Sequence, residues 1–144
     1  MDQRIEPPTA SDIDRIAKQL IHAESVAIDI AGRAFDGSRA DLAAIQSVLD
    51  VGAVERDATY TLQSLGMAFG KFFIEQHPGF DWWMVEDEYG RDPAIRFGQT
   101  LLLAFPQTMI SKRIADGEHV DVEDLFELLS RRLVELSEEQ RSET

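Results

Sequence analysis

The sequence predicts an α+β fold: three N-terminal helices, a three-stranded antiparallel β-meander and two C-terminal helices. Three observations predict it. Apolar residues recur at helical spacing on both sides of the chain's centre. The centre is a set of short aromatic and apolar runs punctuated by glycine and proline, as in hairpins. The length of 144 residues, 44% hydrophobic and 28% charged, suits a single domain (1–144) able to bury a core. On this reading residues 1–10 are an extended arm ending at Pro7-Pro8, 11–54 the N-terminal helices, 55–135 the α+β core and 138–144 a polar, fraying tail.

Ser11 is placed as the N-cap of the first helix, with Asp14 three residues on. Ile13, Ile16, Ala17 and Leu20 then recur at helical spacing, and Ala23, Ala27, Ile30 and Ala31 carry the helix to about Arg33 on a shifted face. Asp36-Gly37 breaks it. Ser38 can cap a second helix with Leu42, Ile45, Val48 and Leu49, stopped by Gly52. In the third, Leu62, Leu65, Phe69, Phe72 and Phe73 share one face, and His77-Pro78-Gly79 ends it. Gly66 and Gly70 lie beside that face. Each costs about 1 kcal/mol of helix propensity against alanine, a cost best repaid by close approach of another backbone. Strands are expected over 82–89, 94–97 and 101–105, with Gly90-Arg91-Asp92-Pro93 as the first turn. Pro106 opens a helix that stops at Gly117. Asp121 caps the last, whose stripe is Val122, Leu125, Phe126, Leu129, Leu133 and Leu136.

Alternate strand residues face opposite sides. Trp82, Met84, Glu86 and Glu88 share one face of the first strand; Trp83, Val85 and Asp87 share the other. Both faces begin with a large apolar group, so the sheet is expected to be covered on both sides, by the chain's own helices or by a second polypeptide. Trp82 and Met84 are the candidate interface, tryptophan being enriched in interface hot spots.

Asp and Glu number 27 against 14 Lys and Arg, a net charge of −13 spread evenly along the chain. Nucleic acid and anionic membrane surfaces are excluded as partners, because both require a positive patch. A basic protein partner or a homodimer is permitted. With no cysteine, thiolate metal sites, Fe–S clusters and Cys nucleophiles are excluded. His22, His77 and His119 lie too far apart for ligand spacing, so neither metal nor cofactor is expected. There is no nucleophile elbow, P-loop or dinucleotide fingerprint. No basic-then-apolar leader opens the sequence and no apolar run approaches a membrane span, so a cytoplasmic location is expected. The densest charged group is Glu86, Asp87, Glu88 and Arg91, with Arg96 on the next strand and Lys112 and Arg113 beyond. It reads as a hairpin end whose acids pair with nearby arginines, or as an enzyme or ligand pocket if the charges converge.

Several stretches carry a resemblance: Leu65-Gly66-Met67-Ala68-Phe69-Gly70, the run from Trp83 to Arg96, Phe105 to Arg113, then Gly117-Glu118 and Val120-Asp121-Val122. Over about 55–135 the chain resembles the bacterial domain of unknown function 3806 family. The resemblance implies a small bacterial domain and brings no activity, cofactor or catalytic set. A looser likeness, to the small acidic class I type III secretion chaperones, points to the binding class. The function expected is a non-enzymatic acidic protein-interaction module, immunity- or chaperone-like.

Overall fold

A computed structural model describes residues 2–142. In chain order its elements are β1 (Arg4–Glu6), α1 (Ala10–Ala31), α2 (Ala40–Val51), α3 (Thr59–Gln76), β2 (Phe80–Asp87), β3 (Gly90–Phe97), β4 (Leu103–Ala104), α4 (Pro106–Ala115) and α5 (Val122–Ser142). The α+β class and the five expected helices are present. The sheet differs from expectation: it has four strands, in the order β1-β2-β3-β4, each antiparallel to its neighbour. The N-terminal arm supplies the extra edge strand, with Arg4, Ile5 and Glu6 opposite Glu86, Val85 and Met84. Pro7 and Pro8 then end the pairing, since proline lacks the ladder N–H.

The hairpin register runs from Phe80 opposite Phe97 to Asp87 opposite Gly90. The turn therefore falls at Glu88-Tyr89, not at Gly90–Pro93. The Asp87 carboxylate accepts the Tyr89 N–H at 2.8 Å, and Gly90 takes a φ of 135°, which a side chain would resist. Pro93 sits inside β3 where a turn was expected. It is tolerated there because β4 pairs only with Ile95 and Arg96, so no strand on that side needs an N–H from position 93.

The cap of α1 is Thr9 rather than Ser11. The Thr9 hydroxyl accepts the Asp12 N–H at 3.2 Å, and the Asp12 carboxylate accepts the Thr9 N–H at 2.9 Å. The same spacing occurs twice, in Thr9/Asp12 and Ser11/Asp14; the first is used where Asp12 also meets the sheet. At the other end of the chain, α5 runs through Ser142, and the Arg141 guanidinium lies 5.2 Å from the Phe97 ring centre. Residues 143–144 of the expected tail lie outside the described residues.

One apolar cluster joins Ala23 of α1, Leu42 and Ile45 of α2, Phe69, Phe72 and Phe73 of α3, Ile110 of α4, Phe126 of α5 and the sheet residues Phe80, Ile95, Phe97 and Ala104. At the end of α3, His77 meets the Ser130 hydroxyl at 2.9 Å and stacks on Phe126, fastening α5. The strand pairing puts Phe80, Trp82, Met84 and Glu86 on one face with Arg91, Pro93, Ile95 and Phe97, and it is this face that packs against the helices. Ile5, Trp83, Val85 and Ala94 point the other way and join neither apolar cluster. Cover of both faces by helices is thus not what the fold does. Val85 and Ala94 are nonetheless buried. On their face Arg96 lies 4.4 Å from the Trp83 ring centre and donates to the Gln99 and Thr100 carbonyls at 2.8 and 2.6 Å. A flat stack and the loop it holds occupy the place of a second helical layer.

The two glycines of α3 have the role expected from their spacing. At Gly66 a Cβ would overlap the Pro106 carbonyl oxygen and stand 3.0 Å from that of Gln107. At Gly70 it would stand 2.6 Å from the Pro106 ring and 2.8 Å from the Trp82 indole. Alanine at position 66 gains helix propensity of about 1 kcal/mol, but rigid backbone occupies the space its methyl needs. Gly66→Ala is therefore expected to destabilise the domain by about 1–3 kcal/mol net, read by urea unfolding; an unchanged or raised midpoint would show that α4 does not approach α3 this closely.

Candidate functional site

The strand register brings two of the predicted charged residues together. Glu86 and Arg91 are cross-strand partners on the helix-facing side of the sheet. The alternation of β1 puts Arg4 and Glu6 on that same side, and the α1 cap delivers Asp12 to it. Arg91 is the hub. Its Nε and Nη2 donate to the two Asp12 oxygens at 3.1 and 2.5 Å, and its Nη1 pairs with Glu6 and lies 3.9 Å from Glu86. Arg4 pairs with Glu86 from the edge strand. Such a planar bidentate fork suits a guanidinium and not an ammonium.

The electrostatics follow from this geometry. The hydrogen bond from Arg91 is the largest influence on Asp12 and holds its carboxyl well below the usual carboxylate range, against the opposing effect of burial. The same bonds from Asp12 and Glu6 push Arg91 above the usual arginine value. Two groups displaced this way exchange no proton near neutrality. The cluster fastens β1 and the first turn of α1 to the hairpin.

The remaining predicted residues lie elsewhere. Asp87 faces the opposite side of the sheet and caps the turn; Glu88 is exposed at the tip. Arg96 is buried beside Trp83 with its donors on backbone carbonyls. Lys112 is exposed on α4, and Arg113 donates to the Met109 carbonyl of its own helix at 2.8 Å. The seven charges thus do not converge on one cavity, because period-two alternation sends neighbouring strand residues to opposite faces. The two candidate interface residues lie on the helix-facing side of the sheet. Met84 is 1% exposed, packed against Ile16 and Met67, and Trp82 is half-buried over Gly70. Both are sheet residues roofed by α1 and α3. Arg4, Glu6 and Asp12 were missed as members of the ionic cluster. The signals that could have found them are the Thr9-x-x-Asp12 capping pattern and the alternation of Arg4-Ile5-Glu6. Among the described residues no group of three or more His, Asp or Glu is placed to hold a metal ion, and no helix is long and apolar enough to cross a membrane.

A feature outside the predicted set lies on α1. Its inner side buries Ile16, Gln19, Ala23 and Ala27. Its outer side carries Ile13, Ala17, Ile21 and Ile28 at i, i+4, i+8 and i+15; the three isoleucines are 58%, 68% and 48% exposed. Two clefts open beside this stripe. One, of about 250 Å³, is bordered by Pro8, Ile13, Ile16, Asp81 and Trp82. The other, of about 220 Å³, lies between α1, α2 and α3, with Leu20, Ile21, Phe35 and Phe72 among its walls and Glu24, Lys71 and Glu75 at its borders. The loop closing its far end is pinned by Glu24, which accepts the Phe35 N–H at 3.0 Å, and by Asp41, which accepts those of Asp36 and Gly37 at 3.0 and 2.8 Å.

Fold and site together define an α+β domain in which a helical layer covers one face of a four-stranded antiparallel sheet. The chain belongs to the family described as Domain of unknown function (DUF3806), whose model matches residues 41–126, from α2 into α5. Among solved structures it is similar to a protein of Bacteroides thetaiotaomicron VPI-5482 determined at 1.50 Å, with a TM-score of 0.80 and 16% identity. That likeness covers 88% of this chain and 47% of the other, so the chain spans about half the length of its structural relative and the two share a fold. No curated protein matches the sequence.

The clamp supports a pH and mutational test. Because the folded pKa of Asp12 is depressed, the stability it contributes is complete above the unfolded value of 3.8 and is lost as pH falls through the folded value. The Tm advantage of wild type over Asp12→Asn should therefore be constant from neutral pH down to about 4 and shrink below it. Arg91→Ala should lower the Tm and speed amide exchange in β1 and the first turn of α1 before the rest of the molecule. Uniform exchange, or full recovery by Arg91→Lys, would rule out the bidentate clamp.

Proposed function

We propose that this domain is a non-enzymatic, acidic protein-interaction module and that the outer face of α1 is its contact surface. The observation that carries the reading is the second apolar side of α1. A surface helix ordinarily has one apolar stripe facing the core and a polar stripe facing water. Here Ile13, Ile21 and Ile28 stand in solvent on a helix that already buries Ile16, Ala23 and Ala27. Exposed apolar side chains grouped on one helix face and rimmed by polar residues mark interaction sites. The evenly distributed charge of −13 supports a basic partner and opposes self-association. Acids of the ionic cluster are engaged with Arg91 and Arg4, which leaves their role structural.

The test compares proteins of the host retained by the immobilised wild type with those retained by Ile13→Asp, Ile21→Asp and, as a control away from α1, Tyr89→Ala at the exposed hairpin tip. The exposed positions predict stability changes within about 0.5 kcal/mol for each variant. The expected result is specific retention by wild type and Tyr89→Ala, with loss in both α1 variants at unchanged Tm. Retention that survives both α1 changes, or no retention by wild type, would defeat the proposal.

A further inference from the structure

Resting on that reading of α1, we infer that the segment bound there is a basic amphipathic helix of a partner protein, anchored by two apolar side chains about two turns apart. Three features of the surface select this occupant. First, α1 is a continuous helix, so its outer face offers side chains and no open backbone edge. A strand has no ladder to join there, whereas a helix can seat its ridge against the isoleucine stripe.

Second, the two clefts sit at different heights along α1. One borders Ile13 and the other borders Ile21. Eight residues of helix rise about 12 Å. A helix docked alongside therefore presents side chains at i and i+7 or i+8 to the two clefts in turn. Each cleft is walled by large apolar groups, Ile16 and Trp82 at the first, Leu20 and Phe72 at the second, and so takes a leucine- or phenylalanine-like anchor.

Third, the borders are acidic. Asp81 stands at the first cleft, and Glu24 and Glu75 stand at the second with Lys71, which pairs with Glu75 at 3.4 Å; Asp41, also in its wall, is buried and held by loop N–H groups. Lysines or arginines flanking the two anchors meet this surplus of carboxylates. A second copy of this chain brings its own charge of −13 to the same place and is disfavoured.

The experiment uses the full chain and three synthetic helical peptides of about 18 residues: one with leucines at i and i+7 flanked by lysines, one with glutamates replacing the lysines, and one with serines replacing the leucines. Binding is measured by fluorescence anisotropy at low and high salt. The lysine–leucine peptide is expected to bind and to weaken at high salt, and the other two to bind at least about ten-fold more weakly. Ile13→Asp and Ile21→Asp, folded as judged by Tm, should each reduce affinity at least about ten-fold. Equal binding of the lysine and glutamate peptides, no binding of the lysine–leucine peptide, or binding indifferent to Ile21 would overturn the inference. If host proteins are still retained in an α1-dependent way, only the basic-helix occupant fails. If that retention is absent too, the contact surface itself fails.

Discussion

The arrangement depends on two missing side chains. Gly66 and Gly70 let the start of α4 lie directly on α3, with the Pro106 carbonyl and ring where β-carbons would stand. That contact fixes where the chain goes on leaving β4, and so where Ile110 enters the core. It also makes room for Trp82, whose indole reaches Gly70 from the sheet. The propensity lost at two helical glycines is offset by burial on three sides: α4, the sheet and the aromatic face of Phe69, Phe72 and Phe73. Helix α3 is thus the axis around which the other elements are placed.

The charge of the chain is organised by which face of the sheet it occupies. On the helix-facing side, Arg91 and Arg4 engage Glu6, Asp12 and Glu86, and the clamp joins the N-terminal stretch 4–12 to a hairpin far away in sequence. On the other side, Arg96 is spent on backbone carbonyls and on the Trp83 ring, closing that face without a helix. Neither arginine is left to organise a pocket. On α1, by contrast, Ile13, Ile21 and Ile28 stand exposed.

Much of the fold was legible from periodicity. The stripes of α3 and α5, the proline that opens α4 and the purpose of Gly66 and Gly70 all follow from local spacing and steric need. The errors fall where two local readings compete. Thr9/Asp12 and Ser11/Asp14 are equivalent caps until Arg91 is brought to Asp12. Gly90-Arg91-Asp92-Pro93 has turn composition, yet it belongs to a strand because the facing edge of β3 is unpaired at Pro93. The edge strand β1 is too short to announce itself and forms only where β2 offers it a ladder. The alternation that divided the β2 residues into two faces was sound, but it could not say which face the helices would take. Trp82 and Met84 lie on the packed side.

By itself the sequence determined the helices, the strand-rich centre, the absence of thiolate chemistry and the acidic character, because each of these depends on residue type and near-neighbour spacing. The tertiary structure alone decided which carboxylates Arg91 would hold, which sheet face would be roofed and that one side of α1 would be left in solvent. Those outcomes depend on contacts between residues separated by tens of positions, and no local pattern encodes which of several compatible partners a side chain will meet.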